Sequence, residues 1–318
     1  MFWLRRIVLA VIFCGALLVP AGSANAGFLP GLDRVGLDEG EVYAKGCMAG
    51  NAQVHSRVCR FGDLASEKRV VLLGDSHAAH WGGALFRVAK RNGWKVIVLA
   101  RASCPAALVS IDEYCDKWRL NSLRRIRKIR PGLVLVGSAA NDQAYSVLRY
   151  GKRLSRQASE GRLEAGMVRT LRFLNRWSGR TVLIRDQSVA PFDVTACLRK
   201  HWAESRKCGF RSRRSMVWSY DAKAARKVPG VRIIDPQKLL CPGRWCRPLD
   251  GRYLIYRNES HLAATFTRNQ DRWLGRELGD PWRQPREQEP EEPMDTTPRP
   301  LVEIMLPHKA ADEESADN

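Results

Sequence analysis

Ser76 is the residue around which chemistry can be built. It falls within Val70-Val71-Leu72-Leu73-Gly74-Asp75-Ser76-His77. The four apolar residues are too few for a helix and rich in β-branched valine, which predicts a buried parallel strand stopping at Gly74. From Ala78 to Asn92, residues Ala79, Leu85, Phe86 and Val88 share one helical face, so a helix is predicted to follow. Ser76 then lies in a strand-to-helix turn. In an open α/β sheet such turns sit at the carboxyl edge, where ligands bind, and the free N–H groups of a helix start favour negative charge. A serine there can be a nucleophile with an oxyanion site beside it. The pair Asp75-Ser76 also fits a plain helix cap.

A serine hydroxyl needs a base, the base needs orientation, and the oxyanion needs donors. The chain has 6 histidines. His55 precedes the predicted sheet, and His77, next to Ser76, points elsewhere and packs or lines the cleft. His80 falls in a helix, His201 in a cysteine-bounded loop and His308 near the end of the chain. His261 differs: it follows the last predicted strand within Tyr256-Arg257-Asn258-Glu259-Ser260-His261-Leu262 and is read as opening a closing helix that runs to about Leu278. A loop after the last strand can return beside the first strand's carboxyl end.

The elements that position these residues alternate. Strands are predicted at Val70 to Leu73, Lys95 to Ala100, Leu133 to Val136, Thr181 to Arg185 and Val231 to Ile234. Helices fall between them at Ala78 to Asn92, Asp116 to Arg130, Arg162 to Trp177 and Arg213 to Arg226. This alternation implies βαβ units and one three-layer α/β/α domain, with a mostly parallel five-stranded sheet and right-handed crossovers. Residues 27–68 form a lead-in without strong periodicity, and residues 69–279 hold the domain. Residues 280–318 turn to Pro, Glu, Gln and Asp, a composition expected to stay disordered.

Residues 1–26 have the order of a secretory signal: Arg5 and Arg6, the apolar run Ile7 to Val19, then Ala24-Asn25-Ala26 before the expected cleavage point. The apolar run is short for a membrane span, so an exported, soluble mature chain is expected, with a retained N-terminal anchor as the alternative. Cys14 lies in the signal, and the other eight cysteines form local couples: Cys47 with Cys59, Cys104 with Cys115, Cys197 with Cys208, and Cys241 with Cys246. Export makes disulfides the default, and neighbour pairing is the expectation among 105 connectivities. Zinc is the rival reading, and no Cys-x-x-Cys pair or clustered His accompanies the cysteines. No cofactor is called for, since neither a P-loop nor Gly-x-Gly-x-x-Gly follows a strand.

The formal net charge is +20, and from Glu287 onward ten acids face two bases, so the body is more basic than the whole. Such a body attracts polyanions. Export favours an anionic envelope glycan over nucleic acid, for which no motif is present; the run Arg124 to Arg130 also reads as the wet face of a helix.

The ordered set Gly74-Asp75-Ser76-His77, Ser103-Cys104-Pro105, Val134-Leu135-Val136-Gly137, Leu240-Cys241 with Cys246, and His261-Leu262 resembles the SGNH hydrolase superfamily. Within it, the likeness is to SGNH domains fused to, or partnered with, membrane O-acyltransferases that decorate cell-envelope glycans, and it spans about residues 68 to 275. The resemblance implies Ser76 as nucleophile and His261 as general base. It also implies an oxyanion hole from the Ser76 N–H with a Gly and an Asn. Gly137 and Asn141 supply these residue types with two extra residues between them, and backbone near Ala102 or Ser103 stands where a second glycine is expected. The family pattern puts Asp three residues before the base. Here Asn258 stands there, able to orient an imidazole without charge, with Glu259 as a possible substitute orienter. The implied activity is that of an exported serine-dependent carbohydrate O-acyl esterase or acyltransferase, with an acylated glycan and a membrane acyltransferase as partners. Asn258 equally suits a catalytically degenerate glycan-binding module. A third reading is a polyanion binder that acts through charge alone.

Overall fold

The computed structural model describes residues 27–140, 145–213 and 219–282. Seven strands form the central sheet: β1 Met48–Ala49, β2 Cys59–Gly62, β3 Arg69–Gly74, β4 Lys95–Arg101, β5 Leu133–Gly137, β6 Thr181–Ile184 and β7 Val231–Ile234. Five of them run parallel in the order β4-β3-β5-β6-β7, matching the strands expected from the apolar runs. The other two come from the lead-in and both pair with β4. Strand β1 is parallel near its end, at Ala100 and Arg101, and β2 is antiparallel along Lys95 to Val98. At two and four residues they are too short to show a period in sequence.

The sheet is buried on both faces because its residues alternate between two cores. Val70, Leu72, Val96, Val98, Leu133 and Leu135 point to one side, against α2 (Gly82–Asn92) and the closing helices α6 (Ala264–Asn269) and α7 (Asp271–Leu278). Val71, Leu73, Ile97, Leu99, Val134 and Val136 point to the other, against α3 (Glu113–Ile129), α4 (Arg156–Trp177) and α5 (Tyr220–Arg226). The result is the three-layer α/β/α sandwich.

Two helices depart from their expected form. The stretch read as one helix from Ala78 splits into a single turn, α1 (Ser76–Ala79), and α2, with His80 and Trp81 at the break. Gly82 sits where a Cβ would meet the Val42 side chain at 2.7 Å, so the lead-in packs into this break. The closing helix does not begin at His261. It starts at Ala264 and is interrupted at Gln270, which leaves His261 on a loop. Helices α3 and α4 start earlier than expected because Asp112 and Ser155 cap them, accepting N–H groups of Cys115 and Ala158 at 2.7 and 3.3 Å.

All four neighbour pairs of cysteine are disulfides, with Cα separations of 5.8, 5.5, 5.7 and 3.8 Å in chain order. The expected signal at residues 1–26, and residues 283–318 of the expected tail 280–318, lie outside the described residues; within the tail's first three residues Trp282 packs on the core, its ring 5.4 Å from that of Trp94. Among the described residues no helix is long and apolar enough to cross a membrane, and no group of His, Cys, Asp or Glu is arranged to hold a metal ion.

Gly74 fixes how closely β3 and β5 approach at the edge that bears Ser76. Its φ is +146°, and a Cβ there would lie 1.8 Å from the Gly137 carbonyl oxygen and 2.8 Å from the Ala78 Cβ. Gly74→Ala is therefore expected to cost at least about 3 kcal/mol, through backbone strain and a clash that no side-chain rotation relieves. A urea titration of the variant beside the wild type measures this; a shift under about 1 kcal/mol would contradict the packing described.

Candidate active site

The turn after β3 is held by one buried carboxylate. Asp75 caps α1 by accepting the His77 N–H at 2.8 Å. Its second oxygen accepts the Ala139 N–H at 2.8 Å and the Tyr145 phenol. Burial raises the Asp75 pKa above the usual carboxylate value, although His77 and these donors oppose the rise. Ser76 is thereby fixed at the first position of α1. It opens on a cleft of about 880 Å³ whose walls include Ser103, Tyr145 and His261.

His261 arrives on a tight turn of a kind that no helix start would make. Tyr256 and Leu262 bridge antiparallel, and the Arg257 N–H donates to the His261 carbonyl at 2.9 Å. Inside this turn the Asn258 Oδ1 receives the Ser260 N–H at 3.1 Å and the His261 N–H at 2.8 Å. Two backbone donors can be met only by the amide oxygen, so the oxygen is also the atom that faces the ring, 3.0 Å from His261 Nδ1. The Ser260 hydroxyl stands 3.0 Å from the same nitrogen and can accept as well. Asn258 thus favours the tautomer with the proton on Nδ1, leaving the Nε2 lone pair 3.0 Å from Ser76 Oγ.

The surroundings keep this imidazole neutral. Burial, with the nearby charges of His77 and Arg257, lowers the His261 pKa to about 3. His77 behaves oppositely: burial pulls its pKa down, but Asp186, 2.5 Å from Nδ1, and Asp75 together raise it above the ordinary imidazole value. His80 completes a triangle of rings with centroids 5.0 to 5.1 Å apart, and its pKa falls well below normal through burial and the neighbouring His77, His261 and Arg257. Arg257 is itself buried, pairing with Glu39 at 3.2 Å and lying 6.0 Å from the Tyr43 ring centroid.

The remaining sequence expectations separate. Glu259 is exposed and only its backbone carbonyl is engaged, by the Ala190 N–H, so the oriented partner of His261 is Asn258 and not Glu259. Gly137 lies in the sheet against Gly74 and does not line the cleft; its missing side chain serves the close approach of the strands. Asn141 lies outside the described residues. The Ala139 and Ala140 N–H groups, in the same loop, are taken by Asp75 and Asp186. Ser103 lines the cleft with φ +53°, the left-handed conformation that glycine adopts freely, at the place where a second glycine was expected. Sequence reasoning missed Asp186, Gln187 and Tyr43. The first two follow β6 at the sheet's carboxyl edge, a position that could have flagged them; Tyr43, whose ring lies 6.0 Å from the Arg257 guanidinium, has no such signal.

Supplying a carboxylate at Asn258 should restore charge stabilisation of the imidazolium. In Asn258→Asp the His261 pKa is expected to climb from about 3 by at least ~1 unit. NMR titration of the His261 ring protons reads this directly. Because the folded value is depressed, stability linked to His261 is full above the unfolded value near ~6.5 and is lost as pH falls toward about 3. Asn258→Asp should therefore also reduce the loss of stability in that window, and an unmoved titration would show that residue 258 does not set the ring's charge.

The fold and the chain's motifs have relatives. Residues 46–269 match the family described as the SGNH domain fused to AT3 domains. No curated protein matches the chain in sequence. Among solved structures, the periplasmic domain of a lipopolysaccharide acetyltransferase from Salmonella ser. Paratyphi A is similar at TM-score 0.54 and 14% identity, covering 68% of this chain and 85% of that one. A GDSL-like lipase from Bacteroides thetaiotaomicron has TM-score 0.40 and 14% identity, with coverage of 67% and 88%. A putative acylhydrolase from Bacteroides fragilis has TM-score 0.39 and 16% identity, with coverage of 69% and 89%. With the family pattern covering most of the folded region, the chain belongs to the SGNH domain family, in the branch fused to AT3 domains.

Proposed function

We propose that this protein is an exported, serine-dependent carbohydrate O-acyl esterase or O-acyltransferase acting on cell-envelope polysaccharide. The observation that supports this most is the 3.0 Å hydrogen bond between Ser76 Oγ and a neutral His261 Nε2 at the wall of an open cleft. In this reading Ser76 Oγ attacks the acyl carbonyl of a sugar ester while His261 Nε2 takes the hydroxyl proton. The tetrahedral oxyanion is met by the Ser76 and Ser103 N–H groups, which make no hydrogen bond within the described chain. Collapse expels the sugar oxygen, which receives the proton from His261, and leaves acyl-Ser76. Water or a second sugar hydroxyl then attacks with His261 again as base, giving hydrolysis or transfer. Four disulfides support an oxidising compartment reached through the signal-like leader, and the family's fusion to AT3 domains supports a membrane acyltransferase as the acyl donor.

Asn258 favours a second reading, a glycan-binding module that has kept the fold and lost the chemistry. An orienter without charge leaves the imidazolium unsupported, and the corresponding Asp-to-Asn change in a serine protease costs ~10⁴ in kcat. A fluorophosphonate probe separates the two. The enzyme reading expects labelling at Ser76 that vanishes in Ser76→Ala, and hydrolysis of p-nitrophenyl acetate that rises at least ~10-fold in Asn258→Asp, equal to about 1.4 kcal/mol of barrier. Absent labelling with an intact circular-dichroism spectrum, or hydrolysis indifferent to Ser76→Ala, would leave the binding module.

A further inference from the structure

A basic finger stands at the rim of the cleft. Leu148–Arg149 and Lys152–Arg153 form a two-stranded antiparallel ribbon in which Leu148 pairs with Arg153 and Arg149 with Lys152. The turn between them is Tyr150-Gly151, and both residues have positive φ, 51° and 76°. Such a turn favours Asn or Gly at its first position, because a side chain with a Cβ is disfavoured at positive φ. A tyrosine here departs from the local preference, and it is 87% exposed, so burial does not compensate. The Arg149 guanidinium lies 5.2 Å from its ring centroid.

The stem of the finger is pinned. The Leu148 N–H donates to the Ser110 carbonyl at 2.8 Å, the Leu154 N–H to the Val147 carbonyl at 2.9 Å, and the Val147 N–H to the Ser159 hydroxyl at 3.2 Å. Ser110 belongs to the loop between Cys104 and Cys115, which lines the same cleft with Asp112 and the half-exposed Tyr114. The finger is thus a rim element tied to a disulfide-closed wall.

Its charges are unspent. Arg153 lines the cleft together with Ser76 and His261, and Arg149, Lys152 and Arg153 are all exposed. None of the three has a carboxylate partner among the described residues. Among the described residues the one carboxylate on the cleft wall, Asp112, is engaged by the Cys115 N–H at 2.7 Å and by Arg101 at 3.5 Å. Cross-strand partners share a face of a ribbon and successive residues alternate, so Arg153 faces the cleft with Leu148 while Arg149 and Lys152 face away. An arginine fork on the cleft wall, with an exposed aromatic at the ribbon's tip, suits a planar anion carried on a ring with an apolar face.

Resting on the reading of the cleft as an ester site, we infer that the ribbon 148–153 is a subsite for an anionic sugar residue neighbouring the esterified one. Arg153 holds the carboxylate or phosphate, and Tyr150, at the tip of the ribbon, lies against the sugar ring.

Calorimetric titration of the wild-type protein with polygalacturonate, phosphomannan and neutral dextran at low salt tests this without turnover. One of the two anionic polymers is expected to bind, identifying the anion, and dextran to bind at least tenfold more weakly. Arg153→Ala should raise that polymer's Kd at least fivefold, whereas Arg149→Ala with Lys152→Ala, on the opposite face of the ribbon, should change it less than Arg153→Ala does. Tyr150→Asn, which suits the turn better, should raise Tm while weakening binding, a combination that a purely structural tyrosine would not give. On esters, the ratio of kcat/KM for acetylated polygalacturonate to that for acetylated xylan should fall at least fivefold in Arg153→Ala if the carboxylate polymer is the one bound. Absence of binding by both anionic polymers, a Kd within twofold of wild type in Arg153→Ala, or an equal loss in the Arg149→Ala with Lys152→Ala variant, overturns the subsite. Ribbon-dependent binding by a protein that hydrolyses no ester and is not labelled at Ser76 would keep the subsite and overturn the enzyme.

Discussion

Two buried carboxylates act on consecutive amides of one loop, and the cleft depends on them. Asp75, at the end of β3, takes the Ala139 N–H, and Asp186, just past β6, takes the Ala140 N–H. The loop after β5 is therefore clamped between the ends of its two neighbouring strands. Each carboxylate also holds a part of the site: Asp75 caps the turn that presents Ser76, and Asp186 binds His77, which sits 5.0 Å from the His261 ring. Leaving either carboxylate unpaired in this interior would be costly, so each is met by backbone N–H and side-chain partners together. Serine, histidines and loop are consequently one hydrogen-bonded unit.

The same unit sets the electrostatics of the base. Arg257 and His77, whose pKa is raised by Asp186, both disfavour a charge on His261, and the position that could have held a compensating carboxylate holds Asn258. Geometry and charge here pull apart. The Asn258 oxygen orients the ring as well as a carboxylate oxygen would, yet adds nothing to the stability of an imidazolium. Gln187 tightens the arrangement by donating to the Ser260 carbonyl while its amide lies 3.2 Å from His77 Nδ1, joining the two histidine-bearing segments.

Much of this was legible in the chain. Five parallel strands follow from short β-branched runs because a sheet covered on both faces needs every residue apolar. Ser76 follows from its place at the end of the first such run, and the cysteine couples from their spacing. What escaped the sequence depends on contacts between distant residues. At the break after α1 Val42 packs against Gly82, and nothing near Gly82 announces Val42. His261 looked like a helix start because its turn is closed by the Asn258 side chain rather than by turn-forming glycine or proline. That turn also decides between adjacent candidates, directing Asn258 inward and Glu259 to solvent, a choice that residue type alone would have reversed.

The lead-in has a consequence for when the Ser76–His261 hydrogen bond can form. Leu29 pairs with Arg252 and Leu254, Asp38 holds the N–H of Thr265, and Glu39 holds Arg257, so the first described segment is sewn to the stretch that carries His261. A polypeptide emerging from its N-terminus exposes the serine-bearing strand long before this histidine exists. Closing loops of such length is slow compared with forming local helices. Serine and imidazole therefore meet only when both extremities of the domain have been joined.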